Sequence, residues 1–318
     1  MRQNNGFSLK KIYKNQLFWT FSGFIVLSLI MSIFSEQFFT YSNIINVIRQ
    51  VSINGVIAVG MTFVILISGI DLSVGSVMAF SGTMMVAAMV NWGWPVTLAI
   101  LFGLFIGFVF GLINGSLVAF LKLPAIIVTL AMMEVPRGLA LLYTGGYPLS
   151  GVPDTFGFFG RGYVFNVIPA PVMILALMYF IGYIILTKLP IGRYIYALGG
   201  NEEAVKLSGI NVKLYKIIPF VISGVTASVS GLIISSRLMS GQPMAGTGFE
   251  LDAIAAVVLG GTDIAGGRGS IIGTLLGALL LGVLSNGLNL MGISPYAQRV
   301  VKGVIIIGAV YFSSYKQK

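Results

Sequence analysis

An all-α, polytopic membrane protein is the fold class this sequence predicts, and three observations predict it. The 318 residues are 57% hydrophobic and only 9% charged. Mean hydropathy is +0.96. Long apolar runs recur along the whole chain, separated by short polar links. No soluble core can hide that much apolar surface, so lipid must cover it. A membrane helix needs roughly 20 mostly apolar residues, which leaves room for about ten spans with short connections and none for a separate soluble domain. Residues 1–318 are expected to form one transmembrane domain.

Apolar runs bounded by charges and by Gly, Pro and Asn fall near 17–34, 51–68, 72–90, 96–120, 124–144, 168–187, 217–236, 251–264, 271–290 and 296–312. The first follows Arg2, Lys10, Lys11 and Lys14. Its length fits a spanning anchor better than a signal-peptide core, and no small-x-small cleavage site follows, so it counts as the first helix. The eighth is too short to cross alone and borrows from the Gly-rich segments beside it.

Ten spans with a cytoplasmic N-terminus return the C-terminus to the cytoplasm, and the basic residues test that orientation. It puts Arg2, Lys10, Lys11, Lys14, Lys122, Lys188, Arg193, Lys206, Lys213, Lys216, Arg268, Lys316 and Lys318 inside. Arg49, Arg161, Arg237 and Arg299 fall outside, with Lys302 shallow in the last span. The excess of thirteen over five agrees with the positive-inside rule. The net charge of +10 is therefore a topology signal rather than a nucleic-acid patch. The loop at 69–71 has no basic residue, and its side follows from the span count alone.

The chain has no cysteine and no histidine. Thiol nucleophiles, disulfides, the usual zinc sites and the side chain best suited to proton exchange near neutral pH are thereby excluded. No Gly-x-x-x-x-Gly-Lys-Ser/Thr phosphate loop occurs either, and no Gly-Lys pair, so nucleotide hydrolysis belongs to another subunit. This chain is not expected to be an enzyme, or to hold a metal or cofactor.

Small residues mark the helix contacts. Gly103, Gly107, Gly111 and Gly115 recur every four residues in the fourth span, as do Gly269, Gly273 and Gly277 at the ninth. That spacing lets backbones approach where lipid supplies no hydrophobic drive to association. It serves intramolecular packing or, alternatively, homodimerisation. A short echo, Gly69-Ile70-Asp71-Leu72 against Gly261-Thr262-Asp263-Ile264, is too brief to define a repeat.

Two connections exceed a turn. Residues 145–167, rich in Gly, Pro and aromatics, lie outside; residues 188–216 lie inside and read as a short helix framed by turns. In the latter, Asn201 is an N-cap, Glu202 and Glu203 occupy the first turn where the helix dipole favours acids, Lys206 sits near the other end and Gly209 terminates it. A helix of about two turns is marginal alone in water, so it is either a surface connector or a docking element for a cytoplasmic protein.

Within the spans, Glu134 and Arg137 share a face three residues apart, which favours mutual pairing or a role in a gate or pathway. Asp71 and Asp263 either cap the third and ninth spans or belong to an inner gate. Asn114, Asn286 and Asn289 offer amides for hydroxyls or for interhelical bonds. Glu250 and Asp252, at the outer end of the eighth span, are exposed loop carboxylates or contacts for a docking protein.

The strings GMTFVILISGIDLSVGS at 60–76, GRYIYALGGNEEAVKLSGINV at 192–212, GQPMAGTGFELDAIAAVVLGG at 241–261 and GGRGSIIGTLLGALLLGVLSNGLNLMG at 266–292 resemble the permeases of ribose-type sugar ABC importers, in order and nearly end to end. Arg137-Gly138 matches that pattern; Glu134 departs from it. The resemblance implies a cobalamin-importer-like permease fold in the bacterial inner membrane. It also implies a homodimer, cytoplasmic ATPase subunits that bind ATP and magnesium, and a periplasmic sugar-binding protein. Carried over by position, Gly199, Gly200, Asn201, Glu202, Glu203 and Ala204 form the core of the ATPase-coupling loop. The sugar that the resemblance implies is ribose or a related monosaccharide or polyol. The rival reading, an ion-coupled secondary sugar transporter, would place coupling carboxylates mid-span; only Glu134 lies well inside one.

Overall fold

In a lipid core no water bonds a free peptide group, so an apolar run satisfies its backbone most economically as a helix. The computed structural model describes residues 16–315, and a helix lies at each of the ten apolar runs. They are α1 (Gln16–Phe34), α2 (Tyr41–Leu66), α3 (Val74–Val90), α4 (Val96–Phe120), α5 (Ala125–Thr144), α7 (Ala170–Thr187), α10 (Val212–Leu238), α11 (Phe249–Leu259), α12 (Ile271–Leu290) and α13 (Pro295–Tyr315). Among the described residues seven, namely α1, α2, α4, α5, α7, α10 and α12, are long and apolar enough to cross a membrane. The terminal charges Arg2, Lys10, Lys11, Lys14, Lys316 and Lys318 lie outside the described residues.

Three boundaries depart from the sequence reading. The helix expected at 51 begins at Tyr41, where the Thr40 hydroxyl caps it by accepting from the Asn43 amide. Its polar first turns hid it from a search for apolar runs. The helix expected at 251–264 stops at Leu259, because Gly260 and Gly261 break it and Gly261 takes φ +94°. The connection at 188–216 holds two helices rather than one, α8 (Pro190–Gly200) and α9 (Glu202–Leu207).

At the core is α10, which packs on α2, α3 and α4. The α4 glycines make several of these contacts close. A Cβ on Gly111 would come within 2.8 Å of Val221 Cα, and one on Gly115 within 2.8 Å of Ile217 Cα. The glycine stripe is thus spent on packing inside the chain, and so is that of α12, whose Gly273 and Gly277 lie against Gly260 and Ala256 of the α11 end. Buried serines of α10 complete the fit: Ser230 Oγ donates to Ile53 O at 2.9 Å, and Ser236 Oγ to Phe156 O at 2.5 Å.

One end of the bundle is covered by residues 145–169. There β1 (Leu149–Ser150) pairs antiparallel with β4 (Ser240–Gly241), and the one-turn α6 (Phe158–Arg161) precedes the hairpin of β2 (Tyr163–Val164) and β3 (Ile168–Pro169). Arg161 Nε donates to Arg237 O at 2.7 Å, fixing this cap to the end of α10.

Glycine at 111 is required by contact, whereas Gly138 on α5 has no atom within 4 Å of its absent Cβ. Gly111→Ala is expected to destabilise the purified protein by about 1–3 kcal/mol through overpacking, and Gly138→Ala to leave it unchanged. Thermal unfolding in detergent, with both variants side by side, checks this.

Candidate functional site

Two stretches inside the bundle are not helical, residues 67–73 before α3 and 239–248 before α11. The second runs alongside α3 in the opposite direction: a Cβ on Gly241 would lie 2.9 Å from Thr83 Cα, while Gly246 abuts Gly75. It therefore descends past eight residues of α3, about 12 Å. Its carbonyls lack intrahelical partners, and at membrane depth such groups must be satisfied by protein. Arg137 of α5 does this, donating from Nη1 to Pro243 O at 2.6 Å and to Ala245 O at 2.8 Å. Five fixed donors suit guanidinium to this task.

The expected Glu134–Arg137 ion pair is consequently not formed. The two side chains feel each other's charge, as do Arg137 and Glu250, but Arg137 is committed to the unwound backbone. Glu134 is exposed in the single chain, halfway along α5.

Around Asp71 the first break gathers polar groups from four elements. Asp71 Oδ1 accepts from the Ser73 amide at 3.0 Å and from the Ser73 hydroxyl at 2.6 Å, and Oδ2 accepts from Ser223 Oγ of α10 at 2.7 Å. Asn114 of α4 donates to Ser73 Oγ at 2.8 Å, and Thr129 of α5 donates to Ile70 O at 2.9 Å. Asp71 is 1% exposed. It does not cap α3 itself; Ser73 occupies that position without a side-chain cap bond. The carboxylate instead holds the break to α10, and Asn114 joins it, a grouping that sequence distance conceals.

At the end of the bundle where α2 finishes, α8 lies across the end of α2 and the loop before α12. Gly267 N donates to Leu66 O at 2.9 Å, and Ser68 Oγ donates to Ala265 O at 2.6 Å. Gly199 fits over this junction so closely that a Cβ would collide with Leu66 O and reach 2.5 Å from Gly267 N. Tyr196 OH donates to Gly269 O at 3.0 Å, and burial raises its phenol above the ordinary value. Gly199 and Gly200 share a cleft of about 370 Å³ with Asp263, whose carboxylate accepts from the Ala265 amide and so orders the second loop.

Asn201 accepts from the Ala204 amide at 3.0 Å and starts α9. Glu202 is joined to Lys216 at 2.7 Å, so only Glu203 of the acidic pair is without an ion pair. Sequence reasoning missed Leu207, at the end of α9 and 88% exposed. A six-residue helix is too short for periodicity to reveal which face is bare.

Glu250 and Asp252 are not on an outer loop. They occupy the first turn of α11 beside the first turn of α3: a Cβ on Gly75 would sit 2.7 Å from Glu250 Oε2. That level is fifteen residues, about 22 Å, from the far end of α3 at Val90. The chain has already entered the bundle as the unwound 239–248 segment, which an apolarity scan reads as loop. Asp252 is also consumed, by Lys302 at 2.9 Å and by Asn54 at 3.2 Å.

The remaining amides hold helices together. Asn286 of α12 and Asn43 of α2 exchange two hydrogen bonds at 2.8 and 2.9 Å, and Asn289 accepts from Gln298 at 2.7 Å. Neither reaches the Asp71 group.

Comparison with known proteins matches residues 43–310 to the family described as branched-chain amino acid transport system / permease component. The ribose import permease protein of Haemophilus influenzae is 49% identical over 300 residues, covering 93% of this chain and 92% of that one. The ribose import permease protein of Bacillus subtilis is 50% identical over 298 residues, covering 93% and 92%. The L-arabinose transport system permease protein of Escherichia coli is 41% identical over 296 residues, covering 93% and 89%. With seven apolar helices, these similarities make the chain a multi-pass bacterial inner-membrane protein. A bundle of apolar helices interrupted at two satisfied breaks, and matched over most of its length, belongs to the branched-chain amino acid transport system / permease component family.

Proposed function

We propose that this chain is the membrane-spanning subunit of an ATP-driven importer for ribose or a closely related monosaccharide. The observation that carries the reading is the seating of α8 by Gly199 on the joined loops 66–69 and 265–267. Force applied to the projecting α9 reaches the start of the unwound segment 67–73 and the loop that joins α11 to α12 through backbone contacts with little slack. Segment 67–73 leads within a few residues to Asp71, its bond to α10 and its link to Asn114. Gly199, Gly200, Asn201, Glu202, Glu203 and Ala204 then form the coupling contact, with Leu207 as an apolar anchor for the ATPase. ATP and magnesium belong to that partner.

Ten crossings with both termini cytoplasmic, in a cobalamin-importer-like permease fold, fit the ten helices and the charge bias. A homodimer is supported by Glu134: a carboxylate exposed midway along an apolar helix is costly against lipid and is accommodated where α5 faces a second copy or an aqueous path between them. The opposite end of the bundle exposes Tyr147 and Phe165, 77% and 87% accessible. Their aromatic surfaces, rather than Glu250 and Asp252, suit the periplasmic sugar-binding protein.

Sugar uptake by the assembled transporter in vesicles is expected to require internal ATP and to survive an ionophore that collapses ion gradients. Uptake that stops with the ionophore while ATP remains would return the ion-coupled reading. Because the chain has no cysteine, Ser150→Cys and Ser208→Cys give a clean orientation test. In intact spheroplasts an impermeant thiol reagent should label the first and spare the second. Leu207→Asp, alone or with Glu203→Lys, should lower co-purification of the ATPase at least about tenfold, equivalent to ~1.4 kcal/mol, while the permease still inserts. Unchanged assembly would make α9 a connector only.

A further inference from the structure

Along α4, Leu98, Leu101, Phe105, Phe108, Leu112 and Phe120 form an apolar stripe, each 39–59% exposed, on a face apart from the glycines that seat α10. The helix contains no charged residue, and its 25 residues extend about 37 Å. Even tilted by about 20°, that length exceeds the roughly 30 Å of a hydrocarbon core. Both ends of α4 therefore stand at the level of lipid headgroups. At its start the rings of Trp94, Phe102 and Tyr143 gather around Trp92, the kind of aromatic cluster that marks this level.

At the other end two lysines come together. Gly111 faces Val221 and Gly115 faces Ile217, so α4 and α10 run antiparallel, and one more step of four residues brings Ala119 level with Lys213. Lys213 Nζ lies 4.9 Å from the centroid of the Phe120 ring, and Lys122 follows two residues after α4 ends at Phe120. Both lysines are exposed. Among the described residues neither has an ion pair, whereas nearby Lys216 is held by Glu202. Lys213 is also the second residue of α10, where the helix dipole disfavours a cation unless an anion is close.

One molecule matches a pair of ammonium groups set at the end of a membrane-length apolar stripe. We propose that Lys122, Lys213 and Phe120 bind the headgroup phosphate of an anionic phospholipid, with an acyl chain lying along the α4 stripe. A free phosphate would leave the stripe unused, and a zwitterionic lipid would bring its own ammonium against the lysines. Each lysine beside an anionic headgroup favours it about fivefold. The lipid is thereby fixed at the seam of α4 and α10, at the end of the bundle that carries α8 and α9.

The test uses the full chain, otherwise free of cysteine, with a fluorophore on Leu121→Cys, in phosphatidylcholine vesicles that contain a minor fraction of phosphatidylglycerol. Bromine on the phosphatidylglycerol chains should quench this fluorophore as if that lipid were enriched at least about fivefold over its bulk fraction. A fluorophore on Leu98→Cys, at the opposite end of the stripe, should report the bulk fraction. Quenching at Leu121→Cys that follows the bulk fraction, or equal enrichment at both positions, overturns the site. If bromine on phosphatidylcholine quenches neither position, protein rather than lipid covers the stripe, and the proposal falls. Lys122→Gln with Lys213→Gln should abolish the enrichment, and Lys122→Arg with Lys213→Arg should retain it. Enrichment that survives the glutamine pair overturns the assignment, and loss of ATPase co-purification in that variant would then give the lysines to the ATPase. Should the glutamine pair fail to insert, the parent chain still decides. At about 1 M salt, where screening acts within about 3 Å, its enrichment should fall toward one, and salt-independent enrichment overturns the charge-based site. Loss of enrichment on adding millimolar inorganic phosphate at constant ionic strength would make the ligand a free anion and overturn the lipid.

Discussion

Everything in this bundle depends on one constraint: a peptide group inside a membrane must find its hydrogen bond within the protein. Most of the chain meets it by coiling. Residues 239–248 do not, and the guanidinium of Arg137 meets it for Pro243 and Ala245 instead. The consequence is a stretch of chain held open at depth, beside α3, by a side chain from α5. Any displacement of α5 relative to α3 must therefore disturb the unwound segment, its turn at Gly246 and the start of α11. A charged residue that serves as a backbone ligand in this way couples helices more rigidly than an ion pair between side chains, because the carbonyls it holds belong to the main chain.

The second break works by the complementary chemistry. Asp71 supplies acceptors where the chain turning into α3 and the α10 hydroxyl at Ser223 supply donors. One break is thus stabilised by a guanidinium on carbonyls and the other by carboxyl oxygens on donors. The Asp71 break begins where Gly199 lies on Leu66 and Gly267 without room for a side chain, whereas the Arg137 break leads there only by way of α11. A lever resting on bare backbone transmits displacement with little loss, since no flexible side chain intervenes to absorb it. That arrangement gives physical content to coupling between a cytoplasmic engine and a path through the membrane.

Small residues have a quieter role in the same mechanics. The α4 glycines and the α10 serines bring backbones together without filling space, so α10 forms a stiff post against which the breaks are fixed. The more open faces lie on α5, around Glu134 and Gly138, and along the cleft between α11 and α13. Stiffness at the centre with polar groups at these faces is what a transporter requires if its core is to persist while its gates change.

The intramolecular use of the Gly-x-x-x-Gly stripes emerged only from the packing, whereas the sequence by itself determined the membrane class, the approximate position of every apolar helix, the existence of those stripes and the Asn201 cap of α9. Each of these follows from local composition or from a period of a few residues, which a linear reading can see. It could not determine that Tyr41–Gln50 extends α2, because the polar residues there interrupt the apolar run and the partner that satisfies Asn43, Asn286, is distant in sequence. Nor could it show that Arg137 serves carbonyls more than a hundred residues away, that Asp71 and Asn114 meet through Ser73, or that Glu250 and Asp252 lie far below the surface. Those outcomes were decided by tertiary structure alone, for one physical reason: once a helix breaks inside lipid, its orphaned polar groups take whichever partners the fold brings within about 3 Å, and sequence separation carries no record of that choice.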